Sequence, residues 1–196
     1  MTGPVTGILG GTFDPPHAGH VTLAKAALEQ LPVDKLVVLV SARPGHRRTV
    51  AGADARFGLA EAAFADLPIE LVLDHHPFTV DAVRGGRFGD ALFVVGADEG
   101  ATFPTWKEPE EVLRWVKLAV GTRSGYPPPD LERYGDRVVS FELDSPDVSS
   151  SQVRERVGRG EPIDDLVPGA VAEAISGLGL YRGYTESRAR EDLTRP

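Results

Sequence analysis

The chain has 196 residues, with 21 Lys and Arg against 29 Asp and Glu, a formal charge of −8 and no cysteine. That length suits one domain with a substantial core, and 41% hydrophobic residues exclude a disordered chain. The lack of cysteine excludes a disulfide framework, thiolate catalysis and cysteine-held zinc, and the acidic balance argues against a nonspecific nucleic-acid coat.

Short apolar runs at 5–9, 36–40, 69–73, 92–95, 118–120 and 138–141 read as strands buried on both faces of a parallel sheet. Between them, 17–31, 53–65, 79–84 and 108–115 carry helical spacing. The first of these puts Val21, Ala24, Ala27, Leu28 and Leu31 on one stripe. Two further helices are expected at 149–157 and 168–178, the second opened by Pro168 and closed by Gly177 and Gly179. Strands alternating with helices predict an α/β fold, a single Rossmann-like doubly wound parallel sheet with a small helical C-terminal part. The domain is expected over 1–182, and the polar stretch 183–196 reads as a flexible tail. No stretch approaches the roughly 18 apolar residues of a membrane span. The start lacks a charged region followed by an apolar one, so the expectation is a cytoplasmic protein without a signal peptide.

The most informative stretch is Gly10-Gly-Thr-Phe-Asp-Pro-Pro-His-Ala-Gly-His20, after the first strand and at the start of the first helix. In open α/β sheets, ligands bind beyond the carboxyl ends of the strands, beside free N–H groups of helix N-termini. Gly10 and Gly11 allow close approach to the backbone, and Thr12 adds a hydroxyl. His17 and His20, three apart, place both imidazoles on one side as donors to phosphate oxygens, while Gly19 leaves space between them. The plainer alternative is a tight strand-to-helix turn with histidines that cap or pack. Neither G-x-G-x-x-G after the first strand nor a P-loop is present.

His17-Ala-Gly-His20 resembles the HxGH signature of the nucleotidyltransferase superfamily, and Gly10-Gly-Thr-Phe-Asp-Pro-Pro-His resembles the bacterial nicotinate-mononucleotide adenylyltransferases. Three later segments are similar to that family in order and spacing: Val95-Gly-Ala-Asp98 with Thr102-Phe-Pro-Thr-Trp106, Val148-Ser-Ser-Ser-Gln-Val-Arg154, and Val167-Pro-Gly-Ala-Val171 through Gly179-Leu-Tyr181. The resemblance implies transfer of AMP from ATP to the 5′-phosphate of nicotinate mononucleotide in NAD biosynthesis, with release of pyrophosphate. It implies His17, His20 and Arg154 as catalytic groups on the phosphates, with Mg²⁺ held mainly by ATP and not by the protein. Gly10, Gly11, Thr12, Phe13, Asp98, Ser149, Ser150, His46 and Arg47 are implied around ATP and its phosphates. Thr79 and Trp106 are implied at the pyridine nucleotide.

Each assignment has a purely structural alternative. Ser149 and Ser150 can cap a helix, as can Asp98; Trp106 can pack on the sheet; the basic stretch 43–48 can be solvated surface. Two departures from the family pattern stand out. Pro77-Phe78-Thr79 replaces a Ser-Tyr-Thr stretch that holds the nicotinate carboxylate, and Gly45 replaces a proline. Open alternatives are the same chemistry on nicotinamide mononucleotide or phosphopantetheine, a nucleotide-binding regulator without catalysis, and a metal-dependent hydrolase using Asp14, His17, His20 and His46. The partners expected are ATP and a pyridine mononucleotide, with no nucleic acid or membrane, and a homo-oligomer is possible.

Overall fold

The computed structural model describes residues 4–45, 48–123 and 129–185. Among them six strands form one parallel sheet: β1 (Thr6–Gly11), β2 (Lys35–Ser41), β3 (Ile69–Asp74), β4 (Ala91–Gly96), β5 (Lys117–Thr122) and β6 (Val138–Glu142). Their spatial order is β3-β2-β1-β4-β5-β6, so the chain reverses direction across the sheet between β1 and β4. The crevice at such a switch point, at the carboxyl ends of the strands, is where open α/β sheets take ligands.

The strands are apolar because both faces are covered. On one side α1 (Ala18–Gln30), α2 (Ala53–Phe64), α6 (Ser150–Arg159) and α7 (Gly169–Leu178) enclose Leu9, Val38, Leu59 and Phe64. On the other, α3 (Thr79–Val83), α4 (Ala97–Thr102) and α5 (Pro109–Trp115) enclose Ile8, Val37, Phe93 and Phe103. In α1 the buried face is Leu23, Ala24, Ala26 and Ala27, with Val21, Leu28 and Leu31 packed at its margin, so the expected stripe is rotated and widened. Alanines there remove the bulk that would hold the helix off the sheet. The stretch 97–105, where no helix is expected from the sequence, is α4 followed by a 3₁₀ turn, Phe103–Thr105, whose Phe103 is fully buried. Its short, mixed sequence carries too few residues for helical periodicity to register.

The helix ends follow local chemistry. Ser149 caps α6 by accepting a hydrogen bond from the Gln152 N–H at 3.2 Å. Gly160 and Gly179 close α6 and α7 in the left-handed conformation that glycine adopts without a Cβ clash. No helix among the described residues is long and apolar enough to cross a membrane. Of the expected tail, 183–185 are described and Tyr184 packs against α6, whereas 186–196 lie outside the described residues.

The glycines that end β1 have a packing reason. A Cβ on Gly10 would sit 2.7 Å from the Phe93 ring, and one on Gly11 2.7 Å from the Phe13 ring. Gly10→Ala should therefore destabilise the fold by about 1–3 kcal/mol through overpacking. In urea unfolding, Phe93→Leu should restore part of that loss in the double variant. Strict additivity of the two substitutions would refute the contact.

Candidate active site

The β1–α1 turn is held from below by buried polar groups. The Asp14 carboxylate accepts hydrogen bonds from the Val50 N–H (2.6 Å), the Ala51 N–H (3.1 Å) and the Tyr181 hydroxyl (2.8 Å). Burial, and then Asp14, push the Tyr181 hydroxyl well above its ordinary pKa, so it remains a donor. Beside it the fully buried Arg56 guanidinium donates to four carbonyls: Thr12 at 2.7 Å, Ser41 at 2.6 Å, Ala42 at 3.1 Å and Ala51 at 3.1 Å. Phe13, between Thr12 and Asp14, has φ of 51° and a ring buried edge-on against Phe64 and His20. The Asp14–Pro15 peptide is cis.

From this base the two histidines emerge at the start of α1, half-buried, with ring centroids 3.8 Å apart. The His17 backbone N–H donates to His20 Nδ1 at 3.2 Å. Nδ1 is therefore the acceptor of the neutral ring, and the His20 proton sits on Nε2. Burial pushes His17 down to about 4, and burial together with the His17 ring holds His20 well below its ordinary value. Both imidazoles are neutral donors at physiological pH. His17 Nδ1 is buried without a partner among the described residues, as is Arg154 Nε. Unsatisfied buried nitrogens of this kind mark a place for a ligand.

Arg154 comes from α6, the helix capped by Ser149. Its guanidinium donates to the Asp14 carbonyl at 2.6 Å, Ser151 Oγ at 3.0 Å and the Tyr184 hydroxyl at 3.3 Å. Ser150 Oγ donates to the Pro15 carbonyl at 2.7 Å, which ties the N-terminus of α6 to the β1–α1 turn. These groups open onto a cavity of about 1610 Å³ at the carboxyl edge of the sheet. That exceeds the roughly 300–1,000 Å³ usual for one small ligand. Its walls carry Thr12, His17, Gly19, His20, Asp98, Ser149, Ser150 and Arg154. Arg48, Arg123 and Arg182 join Arg154 there and stand beside four acids, Asp14, Asp98, Glu99 and Asp147, so the lining is balanced in formal charge within an acidic protein.

Several expected site residues lie elsewhere. Gly10, Gly11 and Phe13 do not line the cavity: the glycines clear space for aromatic rings, and Phe13 is 1% exposed. Thr79 and Trp106 also lie off its wall. Trp106 packs on Phe93 and Phe103 at centroid distances of 5.9 and 5.2 Å. Near Thr79, the Phe78 ring fills the space a Cβ on Gly45 would need, the Gly45 N–H donates to the Pro77 carbonyl at 2.9 Å, and Lys107 Nζ lies 4.7 Å over Phe78. The two sequence departures, Gly45 and Phe78, are thus one packing unit. His46 and Arg47 lie outside the described residues.

Arg56 and Arg123 carry site geometry or charge and were not singled out from sequence, and Tyr181 stood there only as part of a motif, without a role. The signal for Arg123 was its place just beyond an apolar strand. Arg56 had none, since an arginine on an amphipathic helix reads as surface. As for a metal site built on Asp14, both of its carboxylate oxygens are occupied by protein donors. Among the described residues no group of three or more His, Asp or Glu is placed to hold a metal ion.

The profile of the cytidylyltransferase-like family matches residues 8–156. A Thermus thermophilus protein named "Probable nicotinate-nucleotide adenylyltransferase" is 36% identical over 186 residues, covering 90% of this chain and 98% of its own. A Rubrobacter xylanophilus protein of the same name is 34% identical, covering 96% and 97%. In fold, the chain is similar to Plasmodium falciparum nicotinic acid mononucleotide adenylyltransferase complexed with NaAD. That match has a TM-score of 0.74 at 15% identity, covering 91% of this chain and 98% of the other.

Two buried neutral histidines make the fold acid-sensitive. The unfolded chain protonates them near pH 6.5, whereas the fold resists until about pH 4 at His17 and until well below the ordinary value at His20. Stability is therefore full above pH 6.5 and is lost as pH falls from there toward 4. Urea midpoints should decline across that window in the parent chain and less steeply in His17→Gln. Equal slopes would contradict the assignment.

Proposed function

This chain belongs to the cytidylyltransferase-like family and, within it, to the nicotinate-nucleotide adenylyltransferases, and we propose that it moves the adenylyl group of ATP onto nicotinate mononucleotide. The 5′-phosphate oxygen of the mononucleotide attacks the α-phosphorus of ATP in line. The bond from that phosphorus to the β-phosphate bridging oxygen breaks, and pyrophosphate leaves with its electron pair. The nucleophile is already an anion near neutral pH, so no base has to generate it. The protein's task is to position two polyanions and stabilise the charge that builds between them.

The observation that carries this reading is the pair of imidazoles 3.8 Å apart at the α1 N-terminus, opening onto the same cavity as Arg154 and the capped start of α6. We assign the His20 Nε2–H to the α-phosphoryl oxygens and His17, with its unpartnered Nδ1, to the neighbouring phosphates. Arg154 turns its partly engaged guanidinium to the leaving pyrophosphate. The α6 N-terminus, with Ser149 and Ser150, adds backbone donors. Asp98, exposed on the cavity wall, is assigned to ribose hydroxyls. His46 and Arg47 remain assigned to phosphate by resemblance alone.

The donor set suits a Mg²⁺ carried by ATP's own phosphate oxygens, since Mg²⁺ keeps several waters and takes few protein ligands. When bound it would neutralise charge on the leaving group. Thr79 and Trp106 are assigned to the pyridine ring; for that they must approach the cavity edge once a mononucleotide is bound. Both substrates are intracellular metabolites, so the reaction is placed in the cytoplasm.

Pyrophosphate release should be measured with ATP and, separately, nicotinate mononucleotide, nicotinamide mononucleotide and phosphopantetheine. Turnover should be fastest with nicotinate mononucleotide, and absence of turnover with either pyridine nucleotide would overturn the reading. His20→Ala should lower kcat by about 10²–10³. A kcat within a few-fold of the parent would remove His20 from the mechanism.

A further inference from the structure

We propose that Arg56 is a positioning residue for this reaction, setting the distance between the turn that carries Thr12 and His17 and the loop that carries Arg48. The proposal rests on the adenylyl-transfer reading for its kinetic arm alone. Arg56 is 0% exposed and touches no ligand-accessible wall, yet four of its five N–H groups are spent on backbone carbonyls of two loops. Thr12 lies on the β1–α1 turn; Ser41, Ala42 and Ala51 lie at the two ends of the β2–α2 loop. Each loop sends residues to the cavity: Thr12, Asp14 and His17 from the first, and Arg48, Thr49 and Val50 from the second.

Asp14 bridges the same two loops with the opposite charge. It belongs to the first and accepts from Val50 and Ala51 of the second. The two ions thus form a double bracket: the guanidinium gathers carbonyl oxygens and the carboxylate gathers N–H groups. Tyr181 closes it from the C-terminal side through its hydroxyl on Asp14. A planar fork can span Thr12, Ser41, Ala42 and Ala51 together, and a lysine ammonium on a single nitrogen cannot. Arg56→Lys keeps the charge and breaks the span, so it separates geometry from electrostatics.

The test pairs Arg56→Lys with Leu59→Ala. Leu59 is fully buried on the same helix and takes no part in the bracket. In Arg56→Lys, kcat for pyrophosphate release should fall on the order of a hundredfold, as for a misplaced reacting group. The ring resonances of His17 and His20 should move while those of exposed His75 stay. Leu59→Ala should lose thermal stability yet keep kcat and both histidine resonances near those of the parent chain. Arg56→Lys with parental kcat and unmoved His17 would overturn the proposal, as would an equal loss of kcat in Leu59→Ala at matched stability. If Arg56→Lys does not fold, Tyr181→Phe carries the test: a lowered kcat with shifted His17 supports the bracket, and parental values for both refute it. A parent chain without turnover would sink the functional reading, while the resonances would still decide the bracket.

Discussion

Two opposite charges taken out of water, Asp14 and Arg56, hold the working edge of this protein together. Burial alone would pull the Arg56 guanidinium down from its ordinary pKa, and Asp14 and Tyr181 push it back. Neither ion is left unsatisfied: Arg56 donates to backbone of both loops, and Asp14, itself on the first, accepts from backbone of the second and from the Tyr181 hydroxyl. A buried ion that loses its partners typically costs several kcal/mol. The bracket therefore resists small displacements of the loops it joins. Upon it rest the left-handed Phe13, the turn into α1, and the Arg154 contact with the Asp14 carbonyl. The proposed phosphate site is built on backbone held from inside the protein, and its side chains reach outward from that support.

The six strands and most of the helices that flank the sheet were legible in the sequence because both faces of a parallel sheet demand unbroken apolar runs, whereas the strand order came only with the fold. That His17, His20, Ser149 and Arg154 converge on one cavity was also legible, because they sit close in sequence to strand or helix ends, where the switch-point rule looks. What escaped was long-range. Arg56 reads as a solvated helix residue until the carbonyls of Thr12 and Ser41 are folded around it. Asp14 was weighed as a metal ligand, and only the fold reveals that Val50, Ala51 and Tyr181 occupy its oxygens. Gly10 and Gly11 were read as room for a ligand, although the atoms that need the room are Phe93 and Phe13. Except at Gly11, whose neighbour Phe13 is two residues away, the missing term was a partner distant in the chain.

The two halves of the site differ in how complete they are. The half proposed for the phosphates has neutral histidines, a positioned guanidinium and a capped helix around one cavity. On the pyridine side, Gly45, Phe78 and Lys107 pack on one another, and Trp106 lies on Phe93 and Phe103. A substitution of tyrosine by phenylalanine at 78 and of proline by glycine at 45 is coherent once the ring is seen to occupy the place of the missing side chain.

In the proposed reaction the mononucleotide's phosphate attacks the α-phosphorus of ATP in this cavity. Oxygen-18 placed in the phosphate of nicotinate mononucleotide tests it most directly, followed by mass analysis of both products. The account predicts label in the dinucleotide, including its bridging oxygen, and none in pyrophosphate. Label in pyrophosphate, or an unlabelled bridge, would contradict it.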